Sequence, residues 1–168
     1  MAVHDGNGWV QCRCGRRHWG LHGAAGLVVV ELGDASRVLL QLRAEWTHQG
    51  GTWGLPGGAR DSHEDVVQAA LREAHEEVGL AAQDVEVFAQ HPGVDHGDWT
   101  YTYVLAVAGS SPGGAGRPIV EVRTAESDEL RWVALDDVAA LELHPAFGEA
   151  WPQLREAVEQ GLLRPQDR

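Results

Sequence analysis

The segment from Ser62 to Gly79 places the strongest constraint on what this chain can fold into. Ser62, with Asp65 three residues later, resembles a capping box, and Gly79 suits the left-handed position that ends a helix. Apolar residues recur at spacings that place them on one helical stripe: Val67, Leu71, Ala74 and Val78. We therefore predict a helix from about His63 to Val78 that buries one face against a core.

A second face of this helix carries three carboxylates. Glu73, Glu76 and Glu77 stand at relative positions i, i+3 and i+4, so they project together. Like charges at these spacings destabilise an isolated helix by about 0.2 to 0.5 kcal/mol per pair. Bound divalent cations with oxygen ligands would remove that repulsion, whereas a solvated acidic face is the competing interpretation.

Apolar segments on both sides of the helix predict strands. A turn-forming segment, Gly33–Ser36, separates Ala24–Leu32 from Arg37–Leu42, as expected for a hairpin. Trp53–Pro56 predicts a short strand that the following glycines stop. Four later segments also predict strands: Val85–Ala89, Thr100–Ala108, Ile119–Arg123 and Leu130–Leu135.

The C-terminal part of the chain predicts two more helices. One is short, Asp136–Leu141, and the other, Pro145–Gly161, is expected to break or restart near Pro152. Gly109–Pro118 is expected to be a flexible connection. Strands before and after a central helix, with another helix at the end, predict an α/β fold with a mixed sheet and helices on both faces.

Length, charge and composition limit the kinds of partner that this chain can bind. The 168 residues suffice for one domain, with an irregular N-terminal lead-in at 1–23 and the main domain at 24–168. The net charge is −12 and the basic residues are all arginine, which argues against a long nucleic-acid partner. A polyphosphate ligand would need clustered arginines or bound cations. No apolar run is long enough to span a membrane and no secretory start is present, so we expect a cytoplasmic protein.

The carboxylate helix belongs to a longer pattern. Gly58, five residues, Glu64, seven residues, and then Arg72-Glu73-Ala74-His75-Glu76-Glu77-Val78-Gly79-Leu80 match every fixed position of the Nudix box, G-x5-E-x7-R-E-U-x-E-E-x-G-U with U aliphatic. The preceding segment 53–58 and the later segment 126–133 also resemble this family. The chain is therefore identified as a member of the Nudix hydrolase family, with the resemblance covering roughly residues 24–143.

The resemblance implies a Nudix-type α/β/α sandwich with a mixed central sheet, in which the box holds Mg2+ or Mn2+ against a diphosphate and water attacks phosphorus. The implied metal ligands are Glu73, Glu76, Glu77, Gly57 through its carbonyl, and Glu64. Glu64 ranks below the others because it lies nearly opposite Glu73 on a helical projection. Arg72 is expected to pair with a box carboxylate such as Glu64 and hold the loop against the helix.

Two further sets of residues are weaker candidates. Glu126 lies in the late loop from which family members bring a carboxylate to the metal as ligand or base; a solvated acid is the alternative, and Asp128 and Glu129 compete for the role. Trp99 and Tyr101 share one face of a predicted strand and could stack on a nucleobase. Packing against the sheet is the alternative for that pair.

The N-terminal segment suggests a zinc site. Cys12, Cys14, His18 and His22 would make a tetrahedral set. The one-residue spacing of the cysteines is tighter than in zinc knuckles, and two cysteines in a reducing compartment are commonly free thiols. The sequence therefore favours free thiols over zinc.

The expected substrate is a small nucleotide: a nucleoside triphosphate, a dinucleotide or a nucleotide sugar. Family members that cleave 8-oxo-dGTP carry an Asn shortly after a Pro-Pro-Ala-like stretch, whereas here Pro145-Ala146 precedes Phe147, which weakens that assignment. A ligand-binding Nudix domain, an RNA pyrophosphohydrolase and an isopentenyl diphosphate isomerase are alternatives that rank lower. Oligomeric state is left open, a homodimer included.

Overall fold

The computed structural model describes residues 4–109 and 117–163, and the predicted connection Gly109–Pro118 lies largely outside them. The strands in this part are β1 Trp9–Gln11, β2 Arg17–Trp19, β3 Ala24–Glu31, β4 Arg37–Arg43, β5 Trp53–Gly54, β6 Gly57–Ala59, β7 Val85–Asp95, β8 Thr100–Ala108 and β9 Ser127–Ala134. The helices are α1 Val66–Val78 and α2 Pro145–Leu163, with short 3-10 turns at Ala82–Asp84 and Val138–Ala140.

The mixed central sheet runs in the order β5-β4-β3-β8-β7, with β6 also paired to β3 and β9 to β4. β3 and β8 are parallel neighbours along Ala24–Val30, while β4 meets β3 only at Val30 and Glu31. Beyond that contact β4 turns away to pair with β5 and β9, and β6 pairs with the start of β3 instead. The sheet therefore forks between β4 and β6.

Alternating side chains of β3 enter two separate cores. Val28 and Val30 pack in the cluster that holds the buried face of α2, whereas Leu27 and Val29 pack with α1. Because both faces of the sheet are covered, its central strands are continuous apolar runs. The predicted α/β/α sandwich is confirmed. Among the described residues, no helix is both long and apolar enough to cross a membrane.

Helix α1 begins three residues later than predicted. The N-cap is Asp65, whose side chain accepts the Gln68 amide while the Gln68 side chain accepts the Asp65 amide, so the capping box is Asp65 with Gln68. Ser62, the predicted cap, instead donates its amide and hydroxyl to Asp5. The predicted end is confirmed, with Gly79 left-handed at φ 72°.

Several predicted elements were wrong in extent or kind. Ile119–Arg123 is not a strand. It lies beside the C-terminal end of α1, where the amides of Glu121 and Arg123 donate to the last carbonyls of the helix. The predicted break near Pro152 is absent from α2, and Asp136–Leu141 shortens to a 3-10 turn. The glycines after Pro56 start β6 rather than only stopping β5.

The N-terminal segment carries a two-stranded hairpin, β1 with β2, and lies against the box. The backbone amides of His4 and Gly6 donate to the carboxylate of Asp61, which is 2% exposed. Asp5 holds Ser62 beside it. The lead-in is thus anchored to the loop that precedes α1.

Candidate active site

Glu77 lies at the fork of the sheet. Its Oε2 accepts the amide of Gly57 on β6 at 3.1 Å and the side-chain amide of Gln41 on β4 at 3.1 Å. The carboxylate therefore bridges the two strands that separate there. The position follows from the helix: Glu77 sits in the last turn of α1, one residue before the buried Val78.

Glu73 stands one turn earlier and lies against the loop glycines. A Cβ at Gly58 would come within 2.6 Å of the Glu73 carboxyl carbon, so the carboxylate can keep this position only beside a glycine. Glu73 Oε1 also accepts a hydrogen bond from Arg72 Nη1 at 3.0 Å. The loop and the helix are thus fitted to each other at this residue.

Arg72 ties the loop to the helix. Its Nη2 donates to Glu64 Oε2 at 3.0 Å and to the carbonyl of Ala59 at 2.9 Å, while its Nε donates to Glu64 Oε1. Glu64 Oε2 accepts the Asp61 amide as well, at 3.0 Å. Hydrogen bonding to Glu64 raises the pKa of Arg72. The predicted Arg72–Glu64 pair is confirmed, and both oxygens of Glu64 are engaged in it.

Glu76 is the most solvent-exposed of the three carboxylates. Its side chain is 40% accessible, with Arg72 Nη1 3.3 Å away and His4 Nε2 3.8 Å away. His4 reaches it because the N-terminal segment is anchored at Asp61. Glu76 is therefore the carboxylate of the three that a ligand entering from solvent can reach most readily.

The carboxylates repel one another in a partly dehydrated space. Burial raises the pKa of Glu77 to about 8, and the negative charge of Glu73 adds to this shift against the hydrogen bonds from Gly57 and Gln41. Burial also raises the pKa of Glu73, although Arg72 opposes it. A divalent cation with oxygen ligands would resolve this excess of negative charge. The donor set therefore fits Mg2+ or Mn2+.

Comparison with known proteins identifies the family of this arrangement. A family profile described as the NUDIX domain matches residues 20–155. The chain is 50% identical over 160 residues to "Putative 8-oxo-dGTP diphosphatase 3" of Mycobacterium tuberculosis, which covers 91% of this chain and 70% of that protein. The chain belongs to the Nudix family.

Similarity to other Nudix proteins extends along nearly the whole chain. The solved structure of RenU, a Nudix hydrolase from M. smegmatis, matches with a TM-score of 0.81 and 46% identity over 97% of this chain and 100% of that one. A nucleoside triphosphate pyrophosphatase/Nudix hydrolase fusion protein of Bifidobacterium longum is 39% identical over 163 residues, 94% of this chain and 33% of the fusion. The protein is thus a Nudix hydrolase, with its box at Gly58–Leu80.

Sequence reasoning missed Gln41 and Ser127, which complete this Nudix site. Gln41 Nε2 donates to Glu77 and to the Leu55 carbonyl, and its Oε1 accepts the Ser127 hydroxyl at 3.3 Å. Gln41 is only 4% exposed. A single amide in the apolar segment Arg37–Leu42 was the available signal, because a buried polar side chain needs partners.

Glu126 comes to the rim of the site. It is solvent-exposed, and its backbone carbonyl accepts the amide of Ala44 at the end of β4. Its charge contributes to the raised pKa of Glu77, after burial and Glu73. Glu129 instead pairs with Arg131 at 2.8 Å. Of the late-loop acids, Glu126 thus has the clearest electrostatic link to Glu77.

Trp99 and Tyr101 occupy different surroundings. Trp99 is 8% exposed and stacks on His18 with ring centroids 4.2 Å apart, so the N-terminal hairpin covers its face. The hydroxyl of Tyr101 lies over Gly26, which pairs with Gly57 of the box loop. Burial, with the charges of Tyr103 and Glu77, raises the pKa of this phenol. Only Tyr101 remains a candidate for substrate contact, and Trp99 fits the packing alternative.

The four residues considered as a zinc set in the sequence do not all meet in the structure, because His22 lies apart from Cys12, Cys14 and His18. The cluster of ligand atoms that lie within 4.8 Å of one another consists of Cys12, Cys14, His18 and His96. His22 instead lines a surface depression beside Asp98 and Trp99. His96 is 84 residues from Cys12 in the chain, so a local spacing pattern could not reveal it.

Proposed function

We propose that this Nudix hydrolase is a Mg2+-dependent pyrophosphohydrolase of nucleoside triphosphates, and that a triphosphate with an oxidised purine, 8-oxo-dGTP, is the first substrate to test. The observation that carries the reaction class is the box site, where Glu73 and Glu77 converge at the fork of the sheet beside Gly57 and Gly58. The substrate class rests on the relative from Mycobacterium tuberculosis and its name.

Glu73, Glu76 and Glu77 would hold the metal, and Glu64 is left out because both of its oxygens bind Arg72. A bound divalent cation shields phosphate charge and acidifies water. In the chain itself, Gln41 and Gly57 fix Glu77 in place. A fixed position of the Glu77 carboxylate should favour the reaction, since phosphoryl transfer depends mainly on positioning and charge stabilisation.

Glu126 is the proposed group that orients the attacking water. Its side chain is exposed, and its negative charge helps to raise the pKa of Glu77. None of the described residues forms a salt bridge with this side chain, so it can move toward a bound water. Glu73 is the alternative, although its carboxylate is already bound to Arg72. Separate substitutions of Glu126 and of Glu73 would show which carboxylate orients the water.

The rest of the substrate would lie along β4 and the start of α2. Arg43 faces this region from β4, and its charge reaches both Tyr101 and His144. Burial, with the charges of Arg43 and His48, lowers the pKa of His144 and so favours the neutral imidazole. Its Nδ1 accepts the Ala146 amide at 3.2 Å, so in the neutral ring Nε2 carries the proton and can donate a hydrogen bond to a base edge.

Phe147 takes no part in this proposed contact. Its ring is 4% exposed and packs on Trp151 in the core, where it cannot reach a nucleobase. The Asn that 8-oxo-dGTP-cleaving relatives carry near this point therefore has no counterpart in Phe147. His144, three residues earlier and half-buried, is the polar group that we propose in its place.

A release assay that distinguishes pyrophosphate from orthophosphate tests the proposal. Wild type, Glu77→Gln and the exposed control Glu86→Gln would be compared on 8-oxo-dGTP, dGTP, diadenosine polyphosphates and ADP-ribose with Mg2+. We expect pyrophosphate from 8-oxo-dGTP, a roughly thousandfold lower kcat in Glu77→Gln, about 4 kcal/mol of barrier, and normal turnover in the control. Metal-independent turnover or an unaffected Glu77→Gln would contradict the reaction. A preference for a dinucleotide would contradict the proposed substrate but not the proposed reaction class.

A further inference from the structure

Four zinc-type side chains meet at a place that holds none of the box carboxylates. Cys12 and Cys14 both lie in the turn of the β1–β2 hairpin, His18 lies on β2, and His96 lies in the connection between β7 and β8. Their ligand atoms all lie within 4.8 Å of one another. Two segments that are far apart in the sequence thus supply one compact donor group.

The distances suit a tetrahedral ion. Cys12 Sγ is 3.2 Å from His96 Nδ1, and Cys14 Sγ is 3.2 Å from His18 Nε2. Zn–S bonds of about 2.3 Å and Zn–N bonds of about 2.0 to 2.1 Å place sulfur and nitrogen about 3.6 Å apart in a tetrahedral site. Entry of the ion therefore needs the pairs to open by only a few tenths of an ångström.

The hairpin turn supports the sulfur atoms. The backbone amide of Cys14 donates to Cys12 Sγ at 3.4 Å, which helps to fix the position of this sulfur. Gly15, at φ 85°, lets the chain turn back so that its amide reaches the Cys12 carbonyl at 3.0 Å. The tight cysteine spacing is thus accommodated by the turn, and the two sulfurs converge on one side of it.

We propose that Cys12, Cys14, His18 and His96 bind one structural Zn2+. All four positions are taken by protein ligands, as in structural rather than catalytic zinc sites. Binding releases the two thiol protons, one of which Cys12 otherwise donates to Asp98 at 3.4 Å. The two thiolates and the cation then carry no net charge.

The ion would fasten the hairpin to the β7–β8 connection. Without it, the described contacts at that junction include the His18–Trp99 stack and the hydrogen bonds that Asp98 accepts from the Arg13 amide and the Cys12 thiol. Because β8 begins at Thr100, next to Trp99, the zinc would also fix the start of the strand that carries Tyr101. The site is therefore structural, and it stands independently of the proposed substrate.

Metal analysis of the full-length protein tests the site directly. Protein purified without chelator and under reducing conditions is expected to contain about one zinc per chain. Cys12→Ser and His96→Ala are expected to lose at least tenfold in zinc content. His22→Ala is the matched control, since it removes the neighbouring imidazole of the hairpin end, and it should keep the full zinc content.

Cobalt substitution gives a second reading that does not depend on the variants folding. Wild-type protein stripped of metal and titrated with Co2+ should show tetrahedral d–d absorption and thiolate charge-transfer bands that saturate at about one equivalent. Zinc should then displace the cobalt. Less than about 0.1 zinc per chain together with no cobalt spectrum would overturn the proposal, as would a Cys12–Cys14 disulfide in freshly purified protein or zinc lost equally from His22→Ala.

Discussion

Glu77 accepts a hydrogen bond from Gln41 at 3.1 Å, across the point where β4 turns away from β3. The helix that carries the box is thereby linked to the strand that leaves the sheet. Gln41 in turn accepts the hydroxyl of Ser127 on β9. These buried polar groups therefore fix the position of the Glu77 carboxylate. That position depends on the strands at the fork as well as on the box helix.

Replacing Gln41 with Leu should remove a hydrogen bond that positions Glu77 without creating a cavity in the core. The side-chain volume is nearly kept, but the bonds to Glu77, Leu55 and Ser127 are lost, and unpaired buried groups cost about 1 to 3 kcal/mol. We expect kcat to fall about tenfold and the Mg2+ concentration for half-maximal rate to rise, as measured by metal titration at saturating substrate. Gln90→Leu, at an exposed position on β7, is the control. An unchanged Mg2+ dependence in Gln41→Leu would show that the linkage has no role in metal binding.

Glu77 should make the metal-free protein less stable as pH rises. Burial raises its pKa from the ordinary 4.5 to about 8, so between these values the folded protein keeps a proton that the unfolded chain has released. The unfolded state then binds fewer protons, and the free energy of unfolding falls with increasing pH. Glu77→Gln removes this titration. In EDTA its Tm should exceed that of wild type by several degrees at about pH 8 and differ little near pH 4.5, since each kcal/mol shifts Tm by about 2–4 °C in a domain of this size.

Mg2+ provides the control for the same experiment. It should raise the Tm of wild type at about pH 8, because a ligand that binds only the folded state stabilises it, and should have a much smaller effect on Glu77→Gln. Parallel pH curves for the two metal-free proteins would mean that Glu77 is already ionised in the fold and that its burial carries little energetic weight.

The sequence predicted what depends on local pattern. The Gly79 terminus follows from local spacing and is confirmed, and the Arg72–Glu64 pair, which the family resemblance implied, is present. The predicted apolar stripe is confirmed in part: Ala74 and Val78 are fully buried, Val67 and Leu71 are half-buried, and Ala69 and Ala70 complete the buried face. Gln41 and His96 did not follow, because each acts on a partner that the fold brings from a distant part of the chain. Side-chain type alone does not tell which distant partner a buried amide or an imidazole will meet.

Misplaced elements have a similar cause. Ile119–Arg123 has the composition of a strand, yet the amides of Glu121 and Arg123 donate to the carbonyls of Val78 and Glu77 at the end of α1. The true cap of α1 was obscured because Ser62 and Asp65 both suit that position. Asp5, from the N-terminal segment, binds Ser62 and leaves Asp65 to cap the helix.

Arg72→Lys should destabilise the fold even though the charge is kept. Lysine cannot reproduce the paired bonds to Glu64 together with the bond to the Ala59 carbonyl, and Glu64 is 8% exposed, so its carboxylate would lose most of its partners. We expect a loss of about 2 to 3 kcal/mol in the free energy of unfolding, measured by urea denaturation. Arg155→Lys is the matched control, because its pairs with Asp136 and Glu159 are solvent-exposed and should matter little. Equal and small losses in both variants would show that the Arg72 clamp is not a stabilising element.

Gly58→Ala should separate activity from stability. The new methyl group would lie 2.6 Å from the Glu73 carboxyl carbon, and the carboxylate, at the end of a flexible side chain, can move away at small cost to folding. Its displacement should still lower kcat about a hundredfold, which corresponds to about 2.7 kcal/mol of barrier, while urea denaturation shows a change of less than about 1 kcal/mol. Gly33→Ala, in the β3–β4 turn, is the control because its nearest neighbour for a new Cβ is the Ala35 carbonyl at 3.8 Å. If Gly58→Ala kept full activity, Glu73 would have to function from more than one position, and its role as a fixed metal ligand would fail.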